Sequence, residues 1–100
     1  MSAYMIVYAN ITDREKFLQG YAPAAAKLVQ QFGGEYLIRG QGMEVLEGTL
    51  EPGMSVVISE WPDKETILKF WNSPEYQDAK KLREGVCECE VAIIESPPTK

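Results

Sequence analysis

The residues with chemical reach in this sequence are an arginine, several tyrosines, a polar cluster around a proline and two cysteines. Arg39 lies near the end of the apolar stretch YLIRGQG. Strand alternation would put Leu37 and Arg39 on one face, among apolar neighbours. A guanidinium in a partly buried space requires an acid or an anionic ligand. Asn72, Ser73 and Tyr76 gather around Pro74 in WNSPEYQ. A helix starting at that proline presents free N–H groups, which favour an anion. Tyr21 adds a hydroxyl from elsewhere in the chain. Arg39, Asn72, Ser73, Tyr76 and Tyr21 are therefore the candidate ligand-binding set for a small organic anion. Each also has a purely structural reading. Arg39 pairs with Glu60 or Glu47, Ser73 caps a helix, and Asn72 ends the one before it. Tyr76 and Tyr21, like Tyr8 and Tyr36, pack in a core or interface with one satisfied hydroxyl.

The chain contains no histidine. Serine and cysteine nucleophiles paired with histidine are thus excluded within it, as are histidine-ligated haem and mixed histidine metal sites. Cys87 and Cys89 share one strand face in VCECE, but two soft ligands do not complete a zinc site. A bond between them is strained, so they read as free, buried thiols. Glu35, Glu44, Glu47 and Glu60 show no spacing that marks an acid–base pair, and they read as solvated. No catalytic residue is named, and no pattern calls for a metal or a cofactor.

Composition narrows the partners. Apolar residues are 45% and charged residues 25%, which is ordinary for a folded domain. The net charge is −5, and the densest basic cluster is Lys80, Lys81 and Arg83. A nucleic-acid partner requires a concentrated positive face, so none is expected, and anionic membrane surfaces are disfavoured likewise. MSAYMIVYANITDRE lacks the pattern of a signal peptide, and no run reaches the ~20 apolar residues of a span. The expected location is the cytoplasm. One domain is expected over residues 1–100, with a core at 3–95 and a tail at 96–100.

These residues need elements to hold them. Residues 3–9, AYMIVYA, read as a strand apolar on both faces, which belongs inside a sheet covered twice. Thr12 and Glu15 have capping-box spacing. Phe17, Tyr21, Leu28 and Phe32, with Leu18, Ala25 and Val29, form a helical stripe that Gly20 and Pro23 interrupt with a kink. Gly33 and Gly34 stop it. Strands at 35–39 and 43–48 flank a Gly40–Gly42 turn, and a strongly apolar strand spans 54–61 after the turn at 51–53. Asp63 caps a helix carrying Ile67, Leu68 and Trp71. It ends near Asn72, and a new helix starts at once with Ser73 as cap and Pro74 in its first position. Gly85 ends that helix, and 86–95 is the last strand. The order is an α+β, ferredoxin-like β-α-β-β-α-β plan with an antiparallel sheet and an extra central strand. Helices cover one face of such a sheet; a second copy of the chain is the simplest cover for the other.

GGEYLIRGQGMEVLEG, VVISEWPD and WNSPEYQDAKKLR, in that order, resemble the family called domain of unknown function 1330, over residues 3–95. The resemblance implies a dimeric α/β barrel, in which two ferredoxin-like sheets pack face to face. Relatives in that superfamily include small monooxygenases, muconolactone isomerase and haem-binding peroxidases. The haem branch depends on a proximal histidine, which is missing here. The resemblance transfers no catalytic residue.

The leading functional expectation is a cytoplasmic homodimer with a pocket between sheet and helices for a small organic ligand. If it is an enzyme, cofactor-free isomerase or oxygenase chemistry leads, on fold analogy. The alternatives are a non-catalytic binding or sensing module, and a structural dimer whose cavity its own side chains fill.

Overall fold

Alternating apolar residues on both faces of one strand place it at the centre of the sheet. In a computed structural model, which describes residues 2–97, this strand is β1 (Ser2–Ile11). It pairs antiparallel with β3 (Ser55–Trp61) on one side and β4 (Cys87–Ser96) on the other. Ile6 stands opposite Ile58 on β3 and Ala92 on β4. β2 (Glu35–Gly40) extends the sheet beyond β3, giving the order β2-β3-β1-β4. This is the ferredoxin-like arrangement, with the helices on one face.

The expected strand at 43–48 does not form, so the described sheet has four strands rather than five. Met43 exchanges backbone hydrogen bonds at its base: its N–H donates to the Met54 carbonyl at 3.0 Å, and its carbonyl accepts from Gly53 at 2.8 Å. Gly42 and Gly48, at φ 73° and 107°, then turn the chain through conformations that break a ladder. Leu46 is left 92% exposed at the tip.

The kink near Gly20 is a full break. α1 (Arg14–Gln19) ends at Gly20, and α2 (Tyr21–Gln31) begins directly after it. Pro23 falls in the first turn of α2, where its missing N–H has no intrahelical partner to lose. The α1 cap differs from the expected one. The Asp13 carboxylate accepts from the Lys16 N–H at 3.2 Å. The Thr12 N–H is instead donated to the Val86 carbonyl at 2.8 Å, which ties the helix start to the residue just before β4. Leu18 lies outside the buried stripe, because the break rotates α1 away from α2's core face.

α3 (Lys64–Asn72) starts on Asp63, which accepts from the Thr66 N–H and hydroxyl, each at 2.7 Å. α4 (Pro74–Lys80) follows after Ser73 alone, and a 3-10 turn (Lys81–Arg83) leads to Gly85 and β4. The core under these helices joins Ala3, Met5, Val29, Trp61, Ile67, Phe70 and Tyr76. Trp61, Phe70 and Ile67 are its most completely buried large side chains. Burial of each contributes about 1.5–3 kcal/mol or more. The opposite face of the sheet carries Tyr4, Ile6, Tyr8, Val56 and Ile58, extended by Ile38 and Ile94. No described element covers it, and Ile38 and Ile94 stand 48% and 55% exposed. Ser96 belongs to β4, so the expected tail begins later, and its last residues, 98–100, lie outside the described ones. No described helix is long and apolar enough to cross a membrane.

Candidate functional site

The inner face of the sheet and the helices do not close completely on each other. A cavity of about 120 Å³ remains, comparable to the ~150 Å³ apolar hole that accepts benzene in an engineered core. Val7 and Val57 form part of its floor, and Ala25, Val29 and Phe70 part of its roof.

Arg39 reaches the edge of this cavity because β2 is irregular, but on this outermost strand its side chain is exposed rather than partly buried. Tyr36 stands opposite Ser59 and Ile38 opposite Ile58, with a register shift between them. Arg39, opposite Val57, therefore returns to the inner face alongside Tyr36. Simple alternation fails here: Tyr36, not Leu37, shares the face with Arg39, and Leu37 is exposed at the irregularity. The Arg39 guanidinium lies 4.7 Å from the centre of the Tyr36 ring, a cation–π distance. The proposed carboxylate partners are elsewhere. Glu60 accepts from the Tyr4 hydroxyl at 3.1 Å on the outer side of the sheet, and Glu47 sits in the exposed loop. Among the described residues no carboxylate lies within ion-pair distance of Arg39.

Tyr21 opens α2 and Tyr76 sits in the first turn of α4, and their hydroxyls meet at 2.7 Å. Both line the cavity. The Tyr76 ring is also a core residue, stacked near Phe70 and Trp71 with centroids 4.5 and 5.1 Å away. Burial raises the Tyr21 phenol well above its ordinary range, and the Tyr76 phenol and the hydrogen bond between them push it further. Burial also raises Tyr76, partly offset by its hydrogen bond with Tyr21 and the charge of Arg83. Tyr36 is raised by burial against the pull of Arg39. At neutral pH these phenols are donors, not bases.

Arg83 completes the lining, from the 3-10 turn, with its guanidinium 5.5 Å from the centre of the Tyr21 ring. Burial works against its charge, but the phenols of Tyr76 and Tyr21 outweigh that and raise its pKa. It too has no carboxylate within ion-pair distance among the described residues. Sequence reasoning singled out neither Arg83 nor Trp71 as a site residue. Arg83 stands seven positions after Tyr76, two helical turns on the same face, and that spacing is the signal that was available.

Asn72 and Ser73 are not brought into this set. The Ser73 hydroxyl donates to the Phe70 carbonyl at 2.8 Å and accepts from the Tyr76 N–H at 3.0 Å. Both of its capacities are consumed in joining α3 to α4. Asn72 is exposed and lines no part of the cavity. Cys89 does line it, and its sulfur lies 3.3 Å from that of Cys87. Both thiols are half-buried rather than fully buried. The arrangement as a whole is an apolar hole with two guanidiniums and hydroxyl donors at its edge. Such a site holds negative charge in a low-dielectric setting.

The family model for a domain of unknown function (DUF1330) matches residues 2–97. No curated protein matches the chain. Among solved structures it is similar to RPA0582, a protein of unknown function from Rhodopseudomonas palustris. Their identity is 15% and the TM-score 0.77, over 97% of this chain and 83% of that one. A dimeric ferredoxin-like protein of unknown function from Jannaschia sp. CCS1 gives 15% identity and a TM-score of 0.73, over 96% and 100%. SnoaB, a cofactor-independent oxygenase from Streptomyces nogalater, gives 14% and 0.68, over 98% and 95%. At these identities the likeness is one of fold.

Proposed function

This chain belongs to the DUF1330 family, and from that premise we propose that it is a homodimer whose protomers each bind a small, ring-sized organic anion between sheet and helices. One observation carries the reading: Arg39 and Arg83 border an apolar cavity and face no carboxylate among the described residues. Arg83 is half-buried, so its unpaired guanidinium carries a desolvation cost that a bound anion returns, while Arg39, exposed at the cavity's edge, adds a second positive charge. The cavity size favours a single ring, and the tyrosines supply directional donors to a carboxylate or phenolate oxygen. The dimeric ferredoxin-like neighbours and the uncovered outer sheet face support the homodimer.

As an enzyme, the protein acts on a substrate that ionises readily by itself, a phenol or a 1,3-dicarbonyl. The guanidiniums and phenol donors stabilise its anion for isomerisation or for reaction with oxygen. The cofactor-independent oxygenase among the fold neighbours supports this class by analogy. A second reading, a binding or sensing module, is favoured by a specific feature of the lining. It holds tyrosines, arginines and a cysteine but neither a carboxylate nor a histidine, so no general base stands ready.

Arg39→Met tests the pocket. The variant is expected to keep the wild-type melting temperature within a few degrees and to lose about tenfold or more in affinity for aromatic carboxylates and phenolates, measured by calorimetry. Unchanged affinity across the panel would remove the pocket reading. Oxygen consumption and substrate isomerisation with the ligands so found then separate enzyme from binder.

A further inference from the structure

Cys87 and Cys89 leave β4 on one face, with Glu88 exposed on the other. Their sulfurs are in contact at 3.3 Å. They border an open cleft completed by Gln77, Lys80, Lys81, Arg83 and Glu84, so the pair is reachable from solvent. We infer that Cys87 and Cys89 form a dithiol site for a neutral, thiophilic trivalent arsenic centre carrying oxygen leaving groups.

Geometry favours capture of a third atom over a direct bond. Trivalent arsenic holds two sulfurs at roughly a right angle, which brings them close to van der Waals contact. The pair already has that spacing. A disulfide instead requires the sulfurs to close to ~2 Å, and same-face neighbours on one strand sit near the ~6.8 Å Cα limit for such a bond. Rigid thiols of this kind are preorganised for a bridging atom and resist direct oxidation to each other.

Electrostatics selects the class of ligand. A metal cation must displace two protons, because thiolates are the ligands. The Cys87 thiol is pushed up to about 12 by burial, by its hydrogen bond with Cys89 and by that neighbour's charge. Lys80, Lys81 and Arg83 around the cleft repel a free cation, with Glu84 as the one opposing carboxylate in its walls. Two sulfurs are also too few for zinc. A dihydroxyarsine arrives uncharged and carries its own proton acceptors. Two S–H bonds and two As–O bonds break, two As–S bonds form, and both protons leave with the oxygens as two waters. Arsenic stays trivalent throughout, so no oxidant or reductant takes part.

Phenylarsine oxide is the probe. With one equivalent added to the protein, intact mass is expected to show one phenylarsenic per chain, removed by excess ethanedithiol. The melting temperature should rise, since the folded pair is set for the ligand. Cys87→Ser and Cys89→Ser should each weaken binding by about a hundredfold or more, because the second bond closes intramolecularly. Alanine at either position gives the same reading if serine disturbs the packing. Zinc at the same concentration should leave the melting temperature unchanged. Single variants that bind as tightly as wild type, or an adduct without thermal stabilisation, would show two independent thiols and overturn the site. A zinc complex as tight as the arsenical would overturn the assigned ligand class.

Discussion

Tyr21 and Tyr76 place two phenols where a catalytic site more often places an acid and a base, and this determines how the protein responds to pH. Both are neutral in the folded protein beyond the range where a free phenol ionises, chiefly through burial. A group whose pKa is raised by folding stabilises the fold fully below its unfolded value. That contribution is lost as the pH climbs past about 10, where the unfolded chain ionises first. Alkaline unfolding followed by circular dichroism should therefore begin near pH 10, and Tyr21→Phe should shift the transition to higher pH. A variant as alkali-sensitive as wild type would assign the effect elsewhere. Ser73 acts on a different quantity. Its hydroxyl closes α3 and opens α4, so Ser73→Ala should cost about 1 kcal/mol or somewhat more in chemical denaturation. Ligand affinity should stay within about twofold, because Ser73 lies outside the cavity lining.

At the scale of elements, the parts of the fold with strong local chemistry were legible. Asp63 and Ser73 cap the helices they were expected to cap, Gly20 breaks the first helical stripe, and the two-faced strand is central. The misreadings have one common cause, which is that tertiary pairing overrode local pattern. Thr12 has capping-box spacing, yet its backbone is taken by Val86, so Asp13 caps instead. Residues 43–48 alternate like a strand, but no neighbouring strand offers them a ladder beyond Met54. Arg39 reaches the cavity only through the irregularity at Leu37, which no periodicity announces. That shift brings Arg39 to the cavity that Tyr21 and Tyr76 line, whereas the Ser73 hydroxyl is taken up by the α3–α4 junction and Asn72 stays exposed outside the lining. The α2–β2 connection yields a sharp test. A Cβ on Gly34 would sit 2.6 Å from the Trp61 indole, which is 1% exposed and hydrogen-bonded from its N–H to Ser59 at 2.8 Å. Gly34→Ala should cost about 1–3 kcal/mol by overpacking. A loss under ~0.5 kcal/mol would mean that the indole yields more easily than its surroundings suggest.

For the whole molecule, the decisive surface is the outer face of the sheet. Ile6, Ile58 and Ile94 form an apolar belt across three neighbouring strands with no described element above it. Sedimentation should give twice the 11.2 kDa chain mass at micromolar concentration. Ile58→Asp should abolish the dimer, with loss of folded structure in the same step, because an interface of this kind behaves as a core cut in half. A folded, monomeric wild type would end the homodimer reading. The position of β1 also sets a timetable for synthesis. Ile6 is made well before its partners Ile58 and then Ala92, so this apolar strand leaves the ribosome ahead of both. At synthesis rates of ~5–20 residues per second it stays unpaired for several seconds. It must be shielded through that interval, by transient helices of its own chain or by a chaperone. Codon substitutions that slow translation between β1 and β3 should then lower soluble yield while leaving the purified protein unchanged.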